Sequence, residues 1–151
     1  MNNWKDLLDI FVFNKRWDDY FLGMAEYVSR QSRDPSTKVG AVIVRPDKTV
    51  ASVGFNGFPS GMDDQEAFYE DREVKYSKTI HAEMNVILHA REPLHGYAIF
   101  LYPLLPCDRC SVHIIQSGIK AVACKASIEE HPERWVESVR RSEQYYKEAG
   151  S

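Results

Sequence analysis

The chain has 151 residues, a length that suits one domain with a single hydrophobic core. Hydrophobic residues make up 44% of it and charged residues 27%, which excludes a fibrous, disordered or membrane-embedded protein. The net charge of −3 and the lack of a basic stripe argue against long nucleic acids as partners, although a small anionic ligand remains compatible.

The predicted elements begin with an apolar, helix-like extension over residues 1–16, which would cover a neighbouring surface or a subunit contact. Apolar residues at spacings of three and four then predict a helix from Trp17 to about Ser32. A nearly continuous apolar run over Val39–Val44 predicts a strand covered on both faces. After a turn signal, residues 49–55 are predicted to return as its antiparallel neighbour.

Residues 56–78 have a different composition. Three glycine or proline breaks precede six acidic residues, and this predicts a surface loop with a short helical piece, of a length that is often functional. Helices are then predicted over residues 81–89, 108–117 and 132–148, and strands over 98–101 and 119–124. The alternation predicts a three-layer α/β/α domain over residues 17–151, whose later strands run parallel.

No targeting segment is expected. No apolar run approaches the roughly 20 residues of a membrane-spanning helix, and Asp6 and Asp9 interrupt the apolar N-terminus. The three cysteines, Cys107, Cys110 and Cys124, favour a reducing compartment and a metal or redox role over a disulfide scaffold. We therefore expect a cytoplasmic protein without a membrane partner.

The residues that carry chemistry are His81-Ala-Glu83 and, downstream, the Pro106-Cys-Asp-Arg-Cys110 segment. Zinc binds imidazole nitrogen and thiolate sulfur, and a catalytic site uses three protein ligands with a fourth position left for water. His81, Cys107 and Cys110 supply that number. The two cysteines are three residues apart, so at the start of a helix their sulfurs face one side, where the helix dipole favours thiolates. We expect one catalytic Zn²⁺ per chain.

Glu83 follows His81 by two residues and is predicted to be the acid/base instead of a ligand. Zinc lowers the pKa of its water toward ~7. Glu83 would take the proton of this water, give it to the ring nitrogen N3, and later protonate the departing ammonia. H-x-E with P-C-x-x-C is the zinc deaminase signature, in which a Glu that is not a ligand acts as acid/base for attack on C4 of cytosine.

These residues also allow other interpretations. A closed zinc site would need a fourth ligand from His113, Cys124 or His89. His89 lies about 12 Å along its helix from His81, and Cys124 sits in an apolar strand as a small buried hydrophobe. A redox C-x-x-C or a non-catalytic zinc-stabilised interaction module would leave Glu83 unexplained. An open, catalytic zinc site is favoured.

These motifs and several further segments resemble the cytidine and deoxycytidylate deaminase superfamily, and most closely its dCMP deaminases. The resemblance runs from Trp17 to about Val122. The matching segments are Trp17–Phe21, Ser32–Ala41, Gly54–Gly61, His81–Ile87, Pro106–Cys110 and Ile114–Ile119. It implies a mixed sheet of four to five strands flanked by helices, and hydrolysis of dCMP to dUMP with release of ammonia.

The resemblance also implies contacts with the ring and the sugar. Asn56 matches the asparagine that contacts the sugar or base in this superfamily, although an asparagine beside glycine also suits a plain turn. Val39, Gly40 and Ala41 would lie against the base, where a small residue lets the ring approach the backbone. Asn85, one helical turn after His81, could also reach the ligand.

Phosphate contacts are harder to assign from the sequence. Arg33 and Lys38 flank the loop that leads into the first strand, and arginine suits phosphate, so both are candidates. A free nucleoside or base, such as deoxycytidine, cytosine or guanine, a pterin-like ring, or an RNA base is the alternative substrate. No Cys or His precedes His81, so the second, structural zinc of some relatives should be missing. A homo-oligomer, dimer or hexamer, is expected.

Overall fold

The computed structural model describes residues 13–124 and 133–150. In chain order its elements are α1 (Lys15–Ser29), β1 (Gly40–Val44), β2 (Val50–Phe55), α2 (Glu66–Glu70), α3 (Arg72–Lys78), α4 (Ala82–His89), β3 (Ala98–Tyr102), α5 (Asp108–Gln116), β4 (Ala121–Cys124) and α6 (Glu133–Ala149). The four strands form one sheet in the order β2-β1-β3-β4. β1 is antiparallel to β2 and β3, whereas β3 and β4 are parallel, so the predicted mixed sheet with parallel later strands is confirmed.

Helices cover both faces of this sheet. Gly40 lies against α1, because a Cβ there would come within 2.0 Å of the carbonyl oxygen of Ala25. Gly54 lies against α4, where a Cβ would be 2.6 Å from the backbone nitrogen of Val86. Gly54 pairs with Ala41, the neighbour of Gly40, and successive strand residues point to opposite faces. The predicted three-layer α/β/α arrangement is therefore confirmed.

The hydrophobic core packs on both faces of the central strands, and it includes Phe21 of α1 and Val86 of α4. All five residues of β1 are buried, as the apolar run predicted. Phe21 of α1 and Phe100 of β3 pack with ring centroids 5.3 Å apart. Burying a side chain of this size stabilises the fold by about 1.5–3 kcal/mol. This packing fixes α1 on the sheet and, with it, the loop that leads into β1.

The ends of α1 differ from the prediction. The helix begins at Lys15 because the side chain of Asn14 caps it, accepting a hydrogen bond from the backbone nitrogen of Trp17 at 3.1 Å. It ends at Ser29, three residues early. The other predicted ends of helices and strands lie within two residues of the observed ones.

Residues 56–78 contain more regular structure than the predicted loop with one helical piece. Two helices, α2 and α3, occupy this segment, and Gly57 forms an isolated bridge with Ile80. Asp71 begins α3, since its carboxylate accepts from the backbone nitrogens of Glu73 and Val74. The prediction was wrong here because an acidic run without apolar periodicity gives no helix signal.

Residues 1–12 of the predicted extension lie outside the described residues, so the extension and the domain boundary after residue 16 stay predictions. Within the described ranges, no helix has the length and apolar character needed to cross a membrane.

Candidate active site

Two helix starts carry the predicted metal-binding side chains. His81 is the N-cap residue of α4 and Cys107 is the N-cap residue of α5. The sulfur of Cys107 accepts from the backbone nitrogen of Cys110 at 3.4 Å, which fixes the turn between the two cysteines. The polar backbone ends of two helices thus meet at one place, as the sequence predicted.

The side chains of His81, Glu83, Cys107 and Cys110 converge. Each offers one ligand atom, and these atoms lie within 4.8 Å of one another. Nδ1 of His81 is 3.3 Å from the sulfur of Cys110 and 3.6 Å from that of Cys107. One imidazole nitrogen and two sulfurs are donor types that zinc prefers, so the residues fit this ion.

The alternative fourth ligands stay outside this cluster. Among the described residues, the group able to hold a metal includes none of His89, His113 and Cys124. Nδ1 of His113 lies 2.7 Å from the carbonyl oxygen of Arg109, and Cys124 is buried in β4. A closed site would therefore have to use the Glu83 carboxylate.

The side chains of this cluster shift one another's pKa values. Hydrogen bonds from Cys110 and His81 lower the pKa of the Cys107 thiol below its usual value, which favours its ionised form. The hydrogen bond to Cys107, together with the charge of Glu83, raises the pKa of His81 to about 9. Hydrogen bonding to Cys107 and burial raise the pKa of Cys110. A thiol that ionises readily favours binding of a cation.

Glu83 is the buried acid of the site. Only 6% of the residue is exposed, and burial raises the pKa of its carboxyl group. A carboxylate with a raised pKa accepts a proton more readily near neutral pH, which is the property that a general base needs.

Three residues of the cluster, His81, Glu83 and Cys107, line a cavity of about 840 Å³, within the range of small-molecule sites. Of the predicted substrate contacts, Val39 and Asn56 line it. So do three cationic side chains that the sequence reasoning missed, Arg72, Lys75 and Arg109. Arg72, Lys75 and Tyr76 recur at the three- and four-residue spacing of one helix face, a pattern that could have indicated this wall.

Asn56 joins the cavity to the loop between α1 and β1. Its Oδ1 accepts from the backbone nitrogen of Val39 at 2.9 Å, and its Nδ2 donates to the carbonyl of Thr37 at 2.9 Å and to Asp34 at 3.4 Å. The residue is 6% exposed. Asn56 therefore fixes the loop that forms one side of the cavity, which a plain turn asparagine would not do.

Gly40, Ala41 and Asn85 do not line the cavity. Gly40 is small because the backbone of α1 packs on it, and Ala41 is fully buried. Nδ2 of Asn85 donates to the carbonyl of Phe55 at 2.8 Å. Substrate contact by these three residues stays a prediction that the geometry does not favour.

Arg33 and Lys38 do not line the cavity either. Arg33 lies 3.4 Å from the carboxylate of Asp64, and the ammonium of Lys38 donates to the carbonyl of Ser32. Their predicted phosphate contact remains a prediction, with both side chains engaged elsewhere.

The C-terminal helix α6 holds the cysteine turn in place. Ser142 donates to the carbonyl of Pro106 at 3.0 Å, and Tyr146 donates to Ser111 at 2.9 Å. The carboxylate of Asp108, between the two cysteines, accepts from Ser138 at 2.7 Å and from Arg141 at 2.8 Å. These side-chain hydrogen bonds connect α6 to the segment that carries both sulfurs.

Comparison with known proteins agrees with this geometry. A family model described as the cytidine and deoxycytidylate deaminase zinc-binding region matches residues 15–126. The chain belongs to this family. Membership confirms the predicted class of enzyme, a zinc-dependent deaminase, and its zinc cofactor.

Individual relatives are similar over different shares of their length. An uncharacterised deaminase in the luxG 3′ region of Aliivibrio fischeri is 44% identical over 135 residues, which cover 89% of this chain and 90% of that protein. A probable deoxycytidylate deaminase of Caenorhabditis elegans is 43% identical over 107 residues, but the match covers 68% of this chain and 53% of that relative.

Among solved structures, the apo dCMP deaminase of cyanophage S-TIM5 superposes with a TM-score of 0.62 at 27% identity. The superposition covers 73% of this chain and 82% of the phage protein. The predicted cytidine-deaminase-like fold is confirmed.

Proposed function

We propose that the protein hydrolyses the amino group of a cytosine nucleotide, dCMP, to give dUMP and ammonia. The observation that carries this proposal is the convergence of His81, Cys107, Cys110 and Glu83, three of which line a cavity of about 840 Å³. The site combines a metal-binding donor set with a buried acid, the combination that hydrolytic deamination needs.

His81, Cys107 and Cys110 would hold a single zinc ion. When bound, zinc supplies the Lewis acidity that makes hydroxide available at neutral pH. Hydrogen bonds from α6 position the segment that carries Cys107 and Cys110. Glu83 is not a zinc ligand in this proposal. Its carboxylate lies within 4.8 Å of the other donor atoms, but its role is proton transfer.

Glu83 moves the protons of the reaction. Its carboxylate takes a proton from the attacking water while the water oxygen bonds to C4 of the ring, and it delivers that proton to N3. It then takes the remaining proton of the hydroxyl group on C4 and gives it to the amino nitrogen as the C4–N bond breaks, so that ammonia leaves and a carbonyl remains at C4. Burial keeps the pKa of Glu83 high enough for it to act in both directions.

Asn56 and Val39 position the nucleoside. Both line the cavity, and one lone pair of the Asn56 Oδ1 is taken by the backbone nitrogen of Val39. The second lone pair can accept a hydrogen bond from a sugar hydroxyl. The names of the relatives support dCMP, since the C. elegans and phage proteins carry the description deoxycytidylate or dCMP deaminase. A cytoplasmic location and self-association remain predictions of the sequence.

A substrate panel tests the proposal. The zinc-loaded protein is assayed by ammonia release with dCMP, CMP, dCTP, deoxycytidine, cytosine and guanine. We expect the highest kcat/KM with dCMP, at least about tenfold above deoxycytidine, a ratio that corresponds to ~1.4 kcal/mol of binding to the phosphate. Equal values for dCMP and deoxycytidine would refute the nucleotide assignment, and a preference for guanine would refute the cytosine assignment.

A further inference from the structure

The cavity contains more positive charge than the zinc chemistry uses. Arg72 and Lys75 enter it from α3, and Arg109 enters it from the first turn of α5. The protein as a whole has a net charge of −3, so three cations at one cavity are a local feature of the site.

The ammonium group of Lys75 is already paired with other residues of the protein. Its ammonium lies 3.0 Å from the carboxylate of Asp34 and 2.9 Å from the hydroxyl of Ser36. The side chains of Lys75 and Asp34 are 18% and 4% exposed, so this ion pair is largely buried. Burial alone would raise the pKa of Asp34, but hydrogen bonds from Ser36 and Lys75 hold it below its usual value. The pair is internally neutralised and fastens α3 to the loop that precedes β1.

Arg72 and Arg109 are the cations left for a ligand. Both are exposed, and neither forms an ion pair with a carboxylate in the described part of the chain. Arg72 lies with its guanidinium 5.9 Å from the ring centroid of Tyr76, which also lines the cavity. Arg109 sits between Cys107 and Cys110, so the metal-binding turn fixes its backbone.

The acidic residues of the cavity wall do not cancel these two charges. Asp34 is paired with Lys75, and Asp108 is paired with Arg141 at 2.8 Å. Glu83 belongs to the metal cluster. Glu70 is then the carboxylate left outside these pairs among the residues that line the cavity. Two guanidinium groups opposed by one carboxylate leave this part of the cavity suited to an anion.

We propose that Arg72 and Arg109 bind the 5′-phosphate of the substrate, and that they, and not Arg33 or Lys38, make the enzyme prefer a nucleotide to a nucleoside. This inference rests on the proposed function. The planar guanidinium offers paired donors that match phosphate oxygens, which a solvated lysine does less well. The two guanidinium groups lie on separate helices, so they can contact the phosphate from two sides while the ring lies at Glu83.

The test compares Arg72→Ala, Arg109→Ala and the double variant with the wild type. We expect each single change to lower kcat/KM for dCMP about 10- to 100-fold, the loss of one charge-assisted contact, mainly through KM. The value for deoxycytidine, which has no phosphate, should fall far less. Arg109→Lys should recover part of the loss, because it restores the charge without the planar donor pair.

Controls separate phosphate binding from damage to the fold. Arg140→Ala removes an exposed arginine of α6 that does not line the cavity, and it should keep the wild-type preference. Zinc content and circular dichroism of each variant check that the metal turn is intact. Arg33→Ala is assayed in parallel, and loss of preference there, with Arg109→Ala and Arg72→Ala retaining it, would overturn the inference.

A binding measurement tests the inference independently of catalytic turnover. Calorimetric titration of the zinc-loaded wild type and variants with dUMP and with deoxyuridine measures the phosphate contribution directly. Tighter binding of dUMP that disappears in the double variant supports the inference, even if the substrate panel refutes dCMP deamination. Binding of dUMP by the double variant as tight as by the wild type would overturn it, whatever the panel shows.

Discussion

Asp18 is a buried acid whose charge has no compensation in the described part of the molecule. It lies on the face of α1 that packs on the sheet, it is fully buried, and neither carboxylate oxygen has a hydrogen-bond partner among the described residues. Burial, assisted by the neighbouring charge of Asp19, raises its pKa to about 6. At neutral pH the folded protein therefore carries an unfavourable buried charge.

Replacing this residue should stabilise the protein. We expect Asp18→Asn to raise the melting temperature at pH 7 by about 2–4 °C, the shift that ~1 kcal/mol gives in a domain of this size. The folded wild type binds the Asp18 proton more tightly than the unfolded chain does, so its free energy of unfolding falls as the pH rises from about 4 to about 6. The Asn variant should lack this fall.

Thermal melts between pH 4 and pH 7 measure the effect. Asp19→Asn is the matched control, because its carboxylate is exposed and paired with Lys15, and it should keep most of the wild-type fall. A wild-type pH profile in Asp18→Asn would contradict the assignment of the buried charge.

At the scale of elements, α6 stabilises the metal-binding turn from outside it. Ser142→Ala removes the hydrogen bond to the carbonyl of Pro106 and leaves that buried acceptor without its hydroxyl donor, at a cost of about 1–2 kcal/mol. We expect a lower melting temperature and a several-fold faster transfer of zinc to a chromogenic chelator. Gln144→Ala, at an exposed position of the same helix, should behave as the wild type. Equal zinc release from both variants would show that α6 does not hold the turn.

The helix α3 shows what periodicity could and could not predict. The strands of the core can be predicted from their apolar runs. β1 is buried along its whole length, as its sequence predicts. The segment 56–78 has no such run, because its side chains face a cavity and solvent instead of the core. The position of α3 depends on the contact between Lys75 and Asp34, which lies 41 residues earlier in the chain. No local sequence pattern predicts a contact of that range.

At the scale of the whole molecule, the sheet order assembles the site. His81 and Cys107 are 26 residues apart, and β3, paired between β1 and β4, brings the starts of α4 and α5 to one cavity. The metal donors could be predicted because zinc restricts the residue types and their number. The proposed phosphate contacts could not be predicted, because any surface arginine is a candidate until the fold shows which ones share the cavity.

The variant Glu83→Gln tests most directly whether Glu83 transfers the protons of the reaction. Zinc content and dCMP deamination are measured on the same sample. We predict one zinc per chain in the variant and a kcat about 10²- to 10⁴-fold lower, because the amide cannot carry the proton. Glu70→Gln, which changes another carboxylate at the same cavity, should keep both zinc and most of the activity. Loss of zinc from Glu83→Gln would make this residue a metal ligand, and wild-type activity in it would contradict the proposed mechanism.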